Sequence, residues 1–219
     1  MKLMEHILRL LYPPKCVLCR ELLEKEETDL CRSCRTTAAR CKAGRQKIRS
    51  VDEYTAVWYY EDHVRESLLR YKFSNARSYA GAYGRMVAMA ADRELPEGIE
   101  LVTWVPIGPK RRRKRGYDQC ELLALEVARE LDVPACRLLH KARDNKVQSS
   151  LGDAAQRRAN VLGVYSVVNG DQIKGKKILL LDDIITTGST VSEAARVLKL
   201  AGAGKVYCAA VAAGRNQKQ

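Results

Sequence analysis

The chain has 219 residues, 46% of them hydrophobic, enough to bury one domain of ordinary size and a small appendage. Its 39 Lys and Arg against 26 Asp and Glu give a formal charge of +13, which favours a polyanionic partner without choosing between nucleic acid and a diphosphate-rich small molecule. There is no long low-complexity segment and no internal repeat, so disordered, fibrous and solenoid classes are excluded.

The first twelve residues, Met1 to Tyr12, read as a short amphipathic helix stopped by Pro13-Pro14, too charged and too short for a signal h-region or a membrane span. Next come two C-x-x-C knuckles, Cys16-Val17-Leu18-Cys19 and Cys31-Arg32-Ser33-Cys34. Their spacing fits one tetrahedral four-thiolate Zn²⁺ site, structural because four thiolates leave no open position. Two disulfides or a redox dithiol are the alternatives, but no secretory signal argues for an oxidising compartment and no βαβ unit surrounds the motif. Absent export or membrane signals, a cytoplasmic protein without membrane insertion is expected. Cys41 is a spare ligand or a surface thiol, and Cys120, Cys136 and Cys208 lie in apolar contexts that suit small core residues.

A Lys/Arg-rich stretch from Arg40 to Arg49 marks the boundary between an N-terminal unit, residues 1–45, and a main domain, residues 50–219. Tyr54 to Tyr60 reads as a strand by its aromatic and β-branched content. Leu101 to Val105 is another, and leads through Pro106-Ile107-Gly108-Pro109 into six consecutive cations, Lys110 to Arg115, then Gly116. Such a run is either a solvated loop or an anion site, and its place at a strand end favours the anion. Asp118 then caps a helix with apolar positions Leu122, Leu125 and Ala128, stopped by Asp132-Val133-Pro134.

Ile178 to Leu181 is a short unbroken apolar run, the mark of a strand covered on both faces of a parallel sheet. It runs into Asp182-Asp183, then Thr186-Thr187-Gly188-Ser189-Thr190, and Thr190 to Glu193 has capping-box form for a helix reaching about Leu200, with Gly202 at its end. A helix start with unpaired N–H groups and Gly188 to admit close approach suits a phosphate, while two ionised carboxylates suit the adjacent hydroxyls of a ribose. The competing reading is a strand end followed by a plain turn. A last strand is expected from Val206 to Val211.

The 178–190 segment resembles the phosphoribosyl-pyrophosphate (PRPP) motif of type I phosphoribosyltransferases. That resemblance implies Asp182 and Asp183 on the ribose hydroxyls, Thr186, Thr187, Gly188, Ser189 and Thr190 on the 5-phosphate, and Mg²⁺ carried with the diphosphate. With the four-cysteine ribbon and the loop ending Arg115-Gly116-Tyr117-Asp118-Gln119, the chain is similar to the ComF family of competence-associated phosphoribosyltransferases, whose loop ends Arg-Gly-Phe-Asn-Gln. Aspartate for asparagine at 118 puts a charge beside the expected diphosphate site unless it is turned into its helix cap. Arg143, Gln148, Leu151, Arg157 and Asn160 match a further family pattern, expected as a flap, and Leu69 to Phe73 with Arg77 resembles its Lys-aromatic segment.

The implied fold is α/β, a mainly parallel sheet flanked by helices behind a small zinc ribbon. The implied chemistry is displacement of pyrophosphate from PRPP, with Arg113, Lys114 and Arg115 on the pyrophosphate and Asp182, Asp183 and Arg115 carrying catalysis by charge and position. No Ser-His-Asp or Cys-His pair is needed, and His63 and His140 are not expected as bases. The acceptor is not visible: after the last expected strand only Ala212 to Gln219 follow, too little for a base-recognising hood. A second reading is a non-catalytic competence factor that binds single-stranded DNA and uses the PRPP site as a sensor, the resemblance extending to other competence proteins as partners. A purine-salvage or amidophosphoribosyl enzyme is the third, weakened by the missing glutaminase domain and base loop.

Overall fold

The computed structural model describes residues 13–41, 47–141 and 163–215. The expected N-terminal helix and the Arg143–Asn160 flap fall outside them. Along the chain come α1 (Arg32–Thr37), β1 (Glu53–Tyr59), α2 (Asp62–Phe73), α3 (Tyr79–Glu94), β2 (Leu101–Trp104), α4 (Pro109–Arg115), α5 (Gln119–Leu131), β3 (Leu139–Lys141), β4 (Tyr165–Val167), β5 (Lys177–Ile185), α6 (Ser189–Leu200) and β6 (Lys205–Ala213).

Four strands form one sheet in the order β1-β6-β5-β2, and every pair in it is parallel. The apolar run of β5 alternates as a pleat requires: Leu179 and Leu181 join one buried cluster, Ile178 and Leu180 the other. Both faces are covered, α3 and α5 on the first and α6 on the second, which is why residues 178–181 of β5 are apolar on both faces. Each fully buried leucine contributes about 1.5–3 kcal/mol relative to exposure. Where α3 crosses α5 the helices nearly touch, and a Cβ on Gly84 would sit 2.4 Å from Cβ of Glu126.

The direction of the connections places the ligand crevice. The chain leaves β2 toward α5 on one face and leaves β5 toward α6 on the other. The carboxyl ends of β2 and β5 therefore diverge at a switch point, where open α/β sheets bind their ligands.

The expected strand at 178–181 runs on to Ile185, so Asp182 and Asp183 sit within β5 rather than beyond it; Asp182 pairs in register with Ala210 of β6. The six cations form a helix, α4, where a loop was expected. Gly108 precedes Pro109 at its start and Gly116 ends it at φ +79°, the Pro-first, Gly-last arrangement that delimits a helix.

The ribbon is packed into the main domain. Val17, Leu18 and Leu30 are buried in the same cluster as Trp58, Val64 and Leu68. Ser67 Oγ donates to the Val17 carbonyl and Arg70 Nη2 to the Leu18 carbonyl, and Arg85 grips Asp29 through two bonds of 2.9 and 2.6 Å. Ala39 to Cys41 then lie along the free side of β1, with Tyr59 N donating to Ala39 O at 2.9 Å and Cys41 N to Val57 O at 3.1 Å. The opposite sheet edge is covered likewise: Val102 N donates to Pro134 O and Cys136 N to Val102 O, both at 2.9 Å. Among the described residues no helix is long and apolar enough to cross a membrane.

Candidate active site

The two cysteine knuckles converge as their spacing predicts. The Sγ atoms of Cys16, Cys19, Cys31 and Cys34 all lie within 4.8 Å of one another, close to the S···S separation of about 3.8 Å that tetrahedral Zn–S bonds impose. One converging set of four fits a single ion and does not fit two separate disulfides. Cys31 also caps α1, its Sγ accepting from Cys34 N at 3.4 Å.

A cleft of about 1080 Å³ opens over the carboxyl ends of the sheet. At its floor, Asp183 is 4% exposed; Oδ1 meets Lys72 Nζ at 2.7 Å and Oδ2 accepts from Gln119 Nε2 at 2.6 Å. Burial works against the Lys72 ammonium, but the charge of Asp183, its hydrogen bond and the charge of Asp182 outweigh that and raise the lysine's pKa. Asp182 Oδ1 accepts from Asp183 N at 2.8 Å, and the Cys120 thiol points at it from 3.6 Å. Burial first, then the negative charge of Asp183, push the Asp182 carboxyl up to about 7 against the opposing pull of Lys72. Burial and both carboxylates raise the Cys120 thiol well above its ordinary value, so it stays protonated and can donate.

One end of the cleft is the 186–190 turn. Gly188, at φ +72°, is the N-cap of α6 and packs on Ile48, whose carbons lie 3.1–3.2 Å from where a Cβ would be. The Thr190–Glu193 capping box does not form. The helix starts at Ser189, two residues earlier than a Thr190 cap would set it, and Glu193 instead accepts from Gly163 N at 2.8 Å and pairs with Arg196 at 2.8 Å. Thr187 Oγ1 shares a hydrogen bond of 2.8 Å with Ser189 Oγ. Asp182, Thr186, Gly188, Ser189 and Thr190 together border a small pocket at the helix start.

The other end is α4. Arg111, Lys114 and Arg115 line the cleft, as positions i, i+3 and i+4 of one helix face must. Arg115 stacks over Phe73, 5.2 Å from the ring centre, and its Nη1 donates to Gln119 Oε1. Asp118 is turned away into its cap: Oδ1 accepts from Cys120 N at 3.0 Å and Glu121 N at 3.3 Å, and Oδ2 from Ile107 N at 3.0 Å. Burial raises its pKa, with those three N–H groups pulling the other way. The Asp118 side chain thus stabilises the loop after β2 and does not face the anion site.

Residues 118–219 match the phosphoribosyl transferase domain family, and residues 7–45 match the double zinc ribbon domain. Among curated proteins, Competence protein F of Haemophilus influenzae is 25% identical, over 88% of this chain and 93% of its own length. Competence protein ComFC of Bacillus subtilis is 26% identical over 84% and 77%, and DNA utilization protein YhgH of Escherichia coli K12 26% identical over 88% of both.

The chain is a homologue of the ComF competence proteins. Its fold is that of the type I phosphoribosyltransferases, behind a zinc ribbon.

In this ComF homologue the expected site residues Asp182, Asp183, Thr186, Thr190, Lys114 and Arg115 border one cleft, and Gly188 and Ser189 border the adjoining pocket. Thr187 borders neither and serves to tie Ser189. Arg113 does not reach the cleft; it is exposed on the far side of α4, and Arg111 stands where it was expected. Cys120, expected as a plain core residue, contacts Asp182. Lys72 and Gln119, the two partners of Asp183, had been read only as parts of family patterns.

Proposed function

We propose that the cleft binds PRPP with its Mg²⁺ and supports displacement of pyrophosphate at C1 of the ribose. What supports this is the order of groups along one cleft: helix-start turn, acid pair, cations. That order matches phosphate, ribose diol and diphosphate in turn. Asp182, and Asp183 once released by Lys72 or Gln119, would hold the ribose hydroxyls, the 186–190 turn the 5-phosphate, and Arg111, Lys114 and Arg115 the diphosphate, stabilising the charge that grows on it as it leaves. The divalent ion would neutralise the diphosphate further. It is brought by the substrate rather than caged by protein, since the Lys72 ammonium already stands at Asp183.

Calorimetric titration of the full chain with PRPP and Mg²⁺ tests this reading. Stoichiometric, Mg²⁺-dependent binding that is lost in Asp182→Ala is expected. Arg115→Ala should weaken PRPP much more than ribose 5-phosphate; equal losses would remove Arg115 from the diphosphate.

A second occupant is favoured by one observation, the exposed cations of α4 that face away from the cleft, Arg113 among them. They suit the backbone of a single DNA strand. Repeating the titration with single-stranded DNA already bound would show whether strand and PRPP compete, and strand binding should fall steeply with salt.

A further inference from the structure

We infer that the cleft face of α2 is the acceptor subsite, and that it takes a planar aromatic ring carrying no positive charge; this rests on the donor reading above. Arg65, Leu69, Lys72 and Phe73 all line the cleft, at i, i+4, i+7 and i+8, a single helical face. The other side of α2 is used up: Val64, Leu68 and Tyr71 are buried in the core, while Ser67 and Arg70 hold the ribbon. The cleft face is therefore fixed in place from behind.

Its position is set by Lys72. Because Nζ lies 2.7 Å from Asp183, this face overlooks the acid pair, where a donor stretched between the 186–190 turn and α4 places its reactive carbon. Tyr60 and Ile184 also line the cleft. Phe73 is 71% exposed, an aromatic ring on a cleft wall whose covering by a second flat ring would remove apolar surface and add a ring–ring contact.

Charge narrows the class. Among the described residues the cleft wall has two acids, Asp182 and Asp183, against Arg65, Lys72, Arg111, Lys114, Arg115 and Lys141. Asp183 is already paired with Lys72. Nothing on the α2 side would stabilise a cationic acceptor, whereas Arg65, which makes no side-chain ion pair among the described residues, offers a guanidinium to an anionic substituent. In the transfer, the lone pair of a ring nitrogen forms the bond to C1 as the C1–O bond to the diphosphate breaks. Pyrophosphate leaves with that bond's electron pair, and any proton on the attacking nitrogen passes to solvent.

The test is calorimetry on the full chain loaded with PRPP and Mg²⁺, with nicotinate as an aromatic anion, adenine as a neutral ring and ammonium as a small non-aromatic cation. Both rings should bind the loaded protein, nicotinate more tightly, and ammonium should not. Phe73→Ala should weaken both rings about tenfold and, through the lost Arg115 stack, PRPP by clearly less, and Phe73→Tyr should restore them. Arg65→Ala should weaken nicotinate and leave adenine within twofold. The inference is overturned if neither ring binds the loaded protein, if ammonium binds in their place, or if Phe73→Ala lowers ring and PRPP affinity alike, which would make Phe73 a support for Arg115 only. Failure of the unmodified protein to bind PRPP would overturn the donor reading itself, and this inference with it.

Discussion

Lys72 Nζ stands 2.7 Å from Asp183 Oδ1, so the ammonium of a helix next to the zinc ribbon neutralises a carboxylate on the central strand of the sheet. A ligand that needs Asp183 must displace or share that ammonium, and the helix bearing it is thereby coupled to occupancy of the site.

Removing the lysine alone should be costly. Lys72→Met leaves Asp183 buried with only Gln119 as a partner, and breaking a buried pair costs about 3–5 kcal/mol, somewhat less where one partner keeps contact with water. Urea unfolding should show a clear loss in Lys72→Met, and the double variant Lys72→Met/Asp183→Asn should recover part of it, because the uncompensated charge is then gone. Simple additivity would mean that the two groups do not interact.

Asp182 should make stability fall as pH rises. Its folded carboxyl is held up to about 7, against about 3.9 for an unfolded aspartate. Between those values the folded state binds more protons than the unfolded one, so the group costs stability progressively from about pH 4 to pH 7, and fully above that. Comparing Asp182→Asn with the parent by thermal unfolding across this window isolates the effect; the parent should lose ground relative to the variant as pH increases. PRPP affinity should run the other way, growing as Asp182 ionises and can accept from the ribose hydroxyls.

Zinc should govern the cleft as well as the ribbon. The carbonyls of Val17 and Leu18, which accept from Ser67 and Arg70, lie between the ligands Cys16 and Cys19. Chelation, or Cys16→Ser, frees that knuckle and with it the back of α2. Colorimetric titration should find one zinc per chain, and its removal should lower Tm and shift the fluorescence of buried Trp58. If PRPP affinity then stays unchanged, the ribbon and the cleft are independent.

Asp118 should resist replacement by asparagine. Its two oxygens accept from three N–H groups, and an amide would turn an NH₂ toward one of them. Asp118→Asn is expected to cost about 1–2 kcal/mol, and Asp118→Ala about 1–2 kcal/mol for the lost cap plus the bond to Ile107. Both should leave the ratio of PRPP to ribose 5-phosphate affinity unaltered, since the side chain does not face the anion site.

The parts of this architecture that were legible in the sequence are those encoded locally. An unbroken apolar run gave β5 its two covered faces, and knuckle spacing gave the ribbon its four thiols. The α4 helix was also locally encoded, by Pro109 and Gly116, but six adjacent like charges pointed to a loop, and Arg113 was assigned to the cleft where helical geometry puts Arg111. The capping box at Thr190 failed because Glu193 finds Gly163 and Arg196, which only the folded chain brings near. Lys72 and Cys120 were illegible for the same reason. Leu122 and Leu125 make the surroundings of Cys120 look apolar, and nothing near it in the chain announces that β5 will set Asp182 against its sulfur.

The backbone bonds that Ala39 to Cys41 make to β1, and those that Pro134 and Cys136 exchange with β2, amount to hems sewn on either border of the sheet. Trimming the chain to begin at residue 50 would unpick the first of them, baring the strand's donors and acceptors together with the apolar surface that Val17, Leu18 and Leu30 had roofed. Such a fragment has an open template for recruiting copies of itself, so it should come out of cells as aggregate rather than as a smaller folded protein.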